Sequence, residues 1–162
     1  MSFHNATQQC RAEVGAAYRP GKQALIAAHA RQIQCGDEHR ILGSIDLDAA
    51  LAPLPAFAQL SRWDYGIGYR PPLQQKEVAV WVEVHSASTG EVGAVLRKLA
   101  WLKNFLKSEC VPLWNLTHEA AKHFDQFIWV ASGAVHINKN SKQARQLSAA
   151  GLRWPRSSLR LP

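Results

Sequence analysis

The sequence predicts a single α/β domain built on a mixed sheet, and residues 77–89, EVAVWVEVHSAST, carry the strongest evidence. Their four valines alternate with other residues, which indicates a strand with one face packed on a core. The tetrapeptide STGE at residues 88–91 matches a capping box. Valines and leucines at helical spacing follow it as far as residue 107. A buried strand that leads into a long amphipathic helix is typical of α/β domains.

Shorter patterns supply the remaining elements. Residues 10–34 have helical composition, with a break near Pro20, because a proline disfavours the helical conformation of the residue before it. Gly66 and Gly68 are expected to allow the close approach of another backbone. Residues 110–116 are predicted to form a connector. The predicted strands span residues 40–47, 62–70, 77–86 and 124–137. The long helix then crosses between the third and fourth strands.

The composition indicates the kind of partner and the cellular location to expect. The chain has 162 residues, which is enough for one domain with its own core. Its net charge of +7 favours a polyanionic partner, nucleic acid first. DNA is expected in preference to RNA. The sequence shows no apolar run that would span a bilayer and no signal peptide, so no membrane association and a cytoplasmic location are expected. Its three cysteines lack zinc or CxxC spacing and are expected to be reduced.

The end of the sequence is strongly basic. No acidic residue follows Asp125, while lysines and arginines accumulate. We therefore predict an α/β domain over residues 1–137 and a basic C-terminal extension over 138–162, ending in an extended arm. The cations expected to contact nucleic-acid phosphates are Lys139, Lys142, Arg145, Arg153, Arg156 and Arg160.

Acidic residues recur at the ends of the three predicted strands that precede the long helix. Asp46 and Asp48 lie at the end of the first strand, Asp64 lies in the second and Glu83 in the third. Magnesium prefers carboxylate oxygens and water, usually with one or two protein carboxylates. Asp64 and Glu83 are therefore candidate metal ligands, and either Asp46 or Asp48 could be a third. His85 lies on the same side of its strand as Glu83.

This layout resembles the PD-(D/E)XK nuclease superfamily, which has the restriction-endonuclease-like fold. Asp64 in RWDYG and Glu83 and His85 in WVEVHS carry the resemblance, together with the αβββαβ element order over residues 10–137. Glu13 occupies the place where some members have an additional helix acid. The resemblance implies that Asp64 and Glu83 bind Mg²⁺ or Mn²⁺ during phosphodiester hydrolysis.

Two positions depart from the family motif. Trp63 replaces the proline before the aspartate, which the family tolerates, and His85 replaces the lysine. His85 could act as the base itself, or the lysine could have migrated to the following helix, as it has elsewhere in the superfamily. Lys98 flanks the apolar stripe of that helix and Lys103 falls within it, so we favour Lys98.

These observations predict a metal-dependent nuclease, with catalytic residues Asp64, Glu83, His85 and Lys98. A role in restriction, repair or phage defence, as a homodimer or with a partner subunit, follows by analogy alone. The alternatives are an inactive nuclease fold that binds nucleic acid, and an interaction subunit with an acidic partner. The sequence excludes a zinc protease, since His118 and His123 stand five positions apart and diverge on a helix.

Overall fold

A mixed five-stranded sheet forms the centre of the protein in the computed structural model, which describes residues 1–122 and 124–162. His123, part of the excluded protease motif, lies outside the described residues. The sheet has the order β1-β3-β4-β5-β6, and a second sheet pairs β2 with β7. The strands are β1 Arg19–Pro20, β2 Ile33–Cys35, β3 Ile41–Asp46, β4 Tyr65–Tyr69, β5 Val78–Ser88, β6 Phe127–His136 and β7 Leu159–Leu161.

The central sheet contains both antiparallel and parallel strand pairs. β3, β4 and β5 form an antiparallel meander, whereas β5 and β6 are parallel. Parallel neighbours need a crossover, and the long helix α5, Val92–Glu109, begins the connection from β5 to β6. The predicted α/β class with a mixed sheet is confirmed.

Helices and the small sheet cover the two faces of the central sheet. The helices are α1 Phe3–Gln8, α2 Ala12–Ala16, α3 Ala27–Gln32, α4 Leu47–Leu51, α5, α6 Val111–Ala120 and α7 Lys142–Ala149. In β5, Val80 and Val82 pack with β2 and β7, while Trp81 packs in the cluster that contains α5. Both faces of β5 are therefore buried, where the sequence predicted one. None of the described helices is long and apolar enough to cross a membrane.

Two predictions of secondary structure are wrong in part. Residues 33 and 34 were expected to continue a helix but belong to β2, because Ile33 is buried by parallel pairing with Leu159 of β7. Residues 110–116 were expected to be a connector, yet most of them belong to α6. Pro112 lies in its first turn, where a proline removes no helical hydrogen bond.

The segment after residue 137 packs against the domain instead of projecting from it. Gly151, with φ +71°, follows the end of α7. Leu152, Leu159 and Leu161 are buried. The segment expected to be an extended arm is attached to the domain, because Leu159 and Leu161 of β7 pair with β2 and Arg156 forms a bridge with Val130 of β6.

The expectation of three reduced cysteines is wrong for two of them. Cys10 and Cys110 form a disulfide with Cα atoms 4.7 Å apart, and Cys35 is free. Because the two cysteines are 100 residues apart in the chain, their spacing did not indicate that they are close in space. The bond joins the segment after α1 to the junction between α5 and α6.

Gly66 and Gly68 accommodate side chains, not another backbone. A Cβ atom at Gly68 would overlap the ring of Phe3, whose own amide donates a 2.7 Å hydrogen bond to the carboxylate of Glu77.

We expect Gly68→Ala to lower the free energy of unfolding by about 1–3 kcal/mol, because Phe3 would have to move. Urea denaturation measures this change. Gly133→Ala is the control, because its Cβ would meet no atom within 4 Å, and an equal loss there would contradict this explanation.

Candidate active site

Asp64 and Glu83 are held side by side by backbone hydrogen bonds. Asp64 directly precedes β4, and the pairing of Tyr65 with Val82 brings it opposite Glu83 of β5. The Asp64 amide donates to Oε2 of Glu83 at 3.1 Å, and the Val84 amide donates to Oδ2 of Asp64 at 3.0 Å. Each carboxylate is therefore fixed by the strand that carries the other.

Lys98 of α5 reaches both carboxylates. Its Nζ lies 3.5 Å from Oδ1 of Asp64 and donates a hydrogen bond to Oε1 of Glu83. Leu99 and Leu102 anchor the buried side of the helix, so Lys98, beside this stripe, is directed at the sheet. Lys103 is directed elsewhere, with Nζ 5.2 Å from the centre of the Phe127 ring.

His85 also lies in the cluster, and Glu91 holds it. Its Nδ1 is 3.5 Å from Oε1 of Glu83, and its Nε2 is 2.7 Å from Oε2 of Glu91. Sequence reasoning missed Glu91 because it assigned that residue to a capping box. No side-chain capping bond forms at Ser88, and Thr89 instead accepts a hydrogen bond from the Asn138 amide after β6.

The charges of the cluster are strongly coupled. Glu83 is fully buried, and burial followed by the charge of Asp64 raises its pKa to about 8, although Lys98 acts in the opposite direction. Burial lowers the pKa of Lys98, but attraction to Glu83 and Asp64 more than offsets this, so the pKa is raised overall. Two adjacent carboxylates thus share a single ammonium group.

The other candidate acids have different partners. Asp46 caps α4 by accepting a 2.8 Å hydrogen bond from the Ala49 amide, and burial raises its pKa. Asp48 pairs with Arg62 at 2.9 Å. Glu13 pairs with Arg11 at 3.4 Å. No side-chain hydrogen bond or ion pair among the described residues joins these three acids to Asp64 or Glu83, although the charge of Asp64 contributes to the raised pKa of Asp46 and that of Asp48 to the raised pKa of Lys98.

A second cluster that the sequence did not indicate lies on the opposite face of the sheet. Nδ1 of His29 is 2.9 Å from the hydroxyl of Tyr65, and Tyr65 pairs with Asp46 across β3 and β4. No periodic pattern links a residue of α3 to the start of β4, so the sequence contained no signal for this contact.

The carboxylate pair fits a hard divalent cation. Oδ1 of Asp64 and Oε1 of Glu83 converge on the same ammonium group, so both oxygens are directed at one position. Two carboxylates with water and substrate oxygens are a usual shell for Mg²⁺. Within residues 1–122 and 124–162, no group of three or more Asp, Glu, His or Cys side chains is placed to hold a metal ion.

The six predicted nucleic-acid contacts are all exposed but form two groups. One group lies beyond the end of the central sheet at which His85 and Glu91 are found. Its members are Lys139, which follows β6, and Lys142 and Arg145, which lie on α7. The others follow α7: Arg153 and Arg156 both approach Asp125, at 2.8 and 3.7 Å, and Arg160 lies 3.4 Å from Gln34.

The raised pKa of Glu83 has a consequence for stability. Between its usual pKa of 4.5 and its folded value of about 8, the folded protein binds more protons than the unfolded chain. We expect the free energy of unfolding to fall with rising pH in this window, by at most about 1.4 kcal/mol per pH unit from this group. Urea denaturation from pH 5 to 9 should show that Glu83→Gln flattens this slope. An unchanged slope would contradict the assignment.

Comparison with known proteins finds no family model, no curated protein and no solved structure that matches this chain. Its chemistry is therefore inferred from its own residues. These are two adjacent carboxylates, a lysine that contacts both and a histidine held between two glutamates.

Proposed function

We propose that this protein is a metal-dependent nuclease of the PD-(D/E)XK type that hydrolyses phosphodiester bonds in nucleic acid, with DNA as the preferred substrate. One observation carries the proposal: oxygens of Asp64 and Glu83 converge on the ammonium group of Lys98. A carboxylate pair with an adjacent lysine combines a cation site with a fixed positive charge. Both features can stabilise the negative charge that develops during phosphoryl transfer.

The sheet supports the same proposal. An antiparallel meander of β3, β4 and β5 continues through α5 into the parallel strand β6, which agrees with the element order that the resemblance implies. Asp64 comes just before the second strand of this unit and Glu83 lies in the third. The net charge of +7 favours a polyanionic substrate.

Each residue has a distinct role in the proposal. Asp64 and Glu83 would hold Mg²⁺ or Mn²⁺, and such an ion, when bound, polarises a phosphate oxygen and lowers the pKa of water. Lys98 stabilises negative charge that develops on the phosphate, since its ammonium group is already in position. His85, held by Glu91 at 2.7 Å, positions Oε1 of Glu83.

A specific observation favours a second candidate, an inactive nuclease fold that binds nucleic acid or serves as an interaction subunit. Lys98 provides both carboxylates with an internal counterion, so the cluster can persist without a metal. The lysine position of the family motif is also occupied by His85. This candidate binds nucleic acid without cleaving it.

Cleavage of labelled DNA and RNA, single- and double-stranded, with Mg²⁺, Mn²⁺ or EDTA, separates the two candidates. We expect metal-dependent cleavage that falls at least about 100-fold in Glu83→Ala and Lys98→Met, because each removes charge from the reacting centre. Lys103→Met is the matched control, since this lysine lies on the same helix but contacts Phe127. Its activity should match that of the wild type.

Two other outcomes would contradict the proposed site or the proposed activity. Cleavage by Glu83→Ala at the wild-type rate would overturn the assignment of the site. Folded wild-type protein that binds nucleic acid but cleaves none of the substrates would establish the inactive candidate. Thermal unfolding with Mn²⁺ gives an independent readout, because the metal should stabilise the wild type and not Asp64→Asn.

A further inference from the structure

The segment after α7 forms a cationic strip that lies apart from the carboxylate cluster. We define the C-terminal strip as Arg153, Trp154, Arg156 and Arg160. A cavity of about 270 Å³ lies between Trp154 and α7, and a second of about 260 Å³ is lined by the three arginines. Arg153 borders both cavities, so they adjoin. Phe124, Ile128 and Leu159 give the second cavity apolar walls.

The charge of the strip is only partly compensated. Asp125 is the sole acidic side chain among the described residues that line the second cavity, and it approaches both Arg153 and Arg156. Three guanidinium groups therefore face one carboxylate. Each guanidinium has five N–H donors, so most donors stay available to an anionic ligand.

Aromatic rings accompany these cations. Trp154 is 37% exposed, although it is a large apolar side chain, and it lies between Arg153 and Pro155. Phe124 lines the neighbouring cavity. Basic grooves interleaved with accessible aromatic rings bind single strands, because each base can stack on a ring while phosphates contact the cations.

The strip also reaches the level of the carboxylate cluster. Arg156 forms a parallel bridge with Val130 of β6, and Val130 pairs with Val84 of β5. Neighbouring strands are about 4.8 Å apart, so the backbone of Arg156 lies about 10 Å from Val84. Val84 stands between Glu83 and His85. The backbone of the strip is therefore attached to β6 at the level of the carboxylate cluster, on the side of β6 that faces away from β5.

We propose that the C-terminal strip binds single-stranded nucleic acid, with bases against Trp154 and Phe124 and phosphates on the three arginines. The proposal rests on the proposed nuclease function and names its substrate class. A duplex fits the strip less well, because its bases are already stacked on one another and cannot enter the cavities. The six predicted cations thus divide into one strip for single strands and a separate group of Lys139, Lys142 and Arg145.

Binding of fluorescein-labelled oligothymidine, measured by anisotropy in EDTA at several salt concentrations, tests this proposal without cleavage. Trp154→Ala should weaken binding on the order of tenfold, because a stacking surface is lost. The triple variant Arg153, Arg156 and Arg160→Ala should reduce the slope of log affinity against log salt by about 2, since each contact contributes about 0.7. Asp125→Asn should tighten binding, because it removes the acidic side chain that approaches Arg153 and Arg156.

A charge-matched control uses three exposed cations outside the strip, Arg19, Arg31 and Lys76. Their replacement by alanine alters the net charge equally but should leave most of the salt slope intact. Thermal unfolding of every variant verifies that it is folded. Equal affinity for a hairpin duplex, wild-type binding by Trp154→Ala, or tighter binding of polyglutamate than of oligothymidine would each overturn the proposal.

The design separates this proposal from the nuclease function. Glu83→Gln should bind oligothymidine like the wild type while losing cleavage, because the strip does not include the carboxylates. A wild-type protein that binds through the strip but never cleaves would refute the nuclease function alone. Metal-dependent cleavage that persists in the triple arginine variant, with unchanged affinity for single strands, would refute the strip alone.

Discussion

The burial of the Glu83 carboxylate beneath α5 is the constraint on which the arrangement of the cluster depends. An ionised carboxylate without solvent is unfavourable unless cations and hydrogen bonds compensate it. Lys98 and the Asp64 amide offset part of this cost, and His85 lies 3.5 Å from the carboxylate, but burial and the charge of Asp64 still raise the pKa of Glu83 to about 8. Because these partners come from α5, the approach to β4, and β5 itself, the charge of one residue determines how the three segments meet.

The strand order explains why this charge is where it is. The antiparallel pairing of β4 with β5 puts the start of one strand beside the later part of the other, so Asp64 meets Glu83. The chain must then cross to the parallel strand β6, and α5 begins that crossover over the same face. Lys98 therefore lies above the carboxylates as a consequence of topology. The same β6 supports Arg156 on its outer side, which brings the C-terminal strip to this level of the sheet.

Much of the central unit could be predicted because local signals and tertiary packing agree there. The valines of β5 are buried and the apolar stripe of α5 faces the core, so periodicity located both elements. Residues 33 and 34 show the opposite case. Their helical composition was overridden by pairing with β7, a strand more than 120 positions later in the chain. Glu91 was misassigned for a similar reason, because its carboxylate bonds to His85 and not to the helix start.

The strand–helix unit, the basic charge and the candidates Asp64 and Glu83 could be predicted from the chain alone, because they depend on residue type and short-range spacing. The three-dimensional contacts were needed to show that Lys98 and not Lys103 contacts both carboxylates, that Cys10 meets Cys110, and that the C-terminal leucines are buried. Contacts of this kind join segments that are distant in the chain. Their formation depends on how strands pair and on which direction each side chain takes from its element, and neither is encoded in a local pattern.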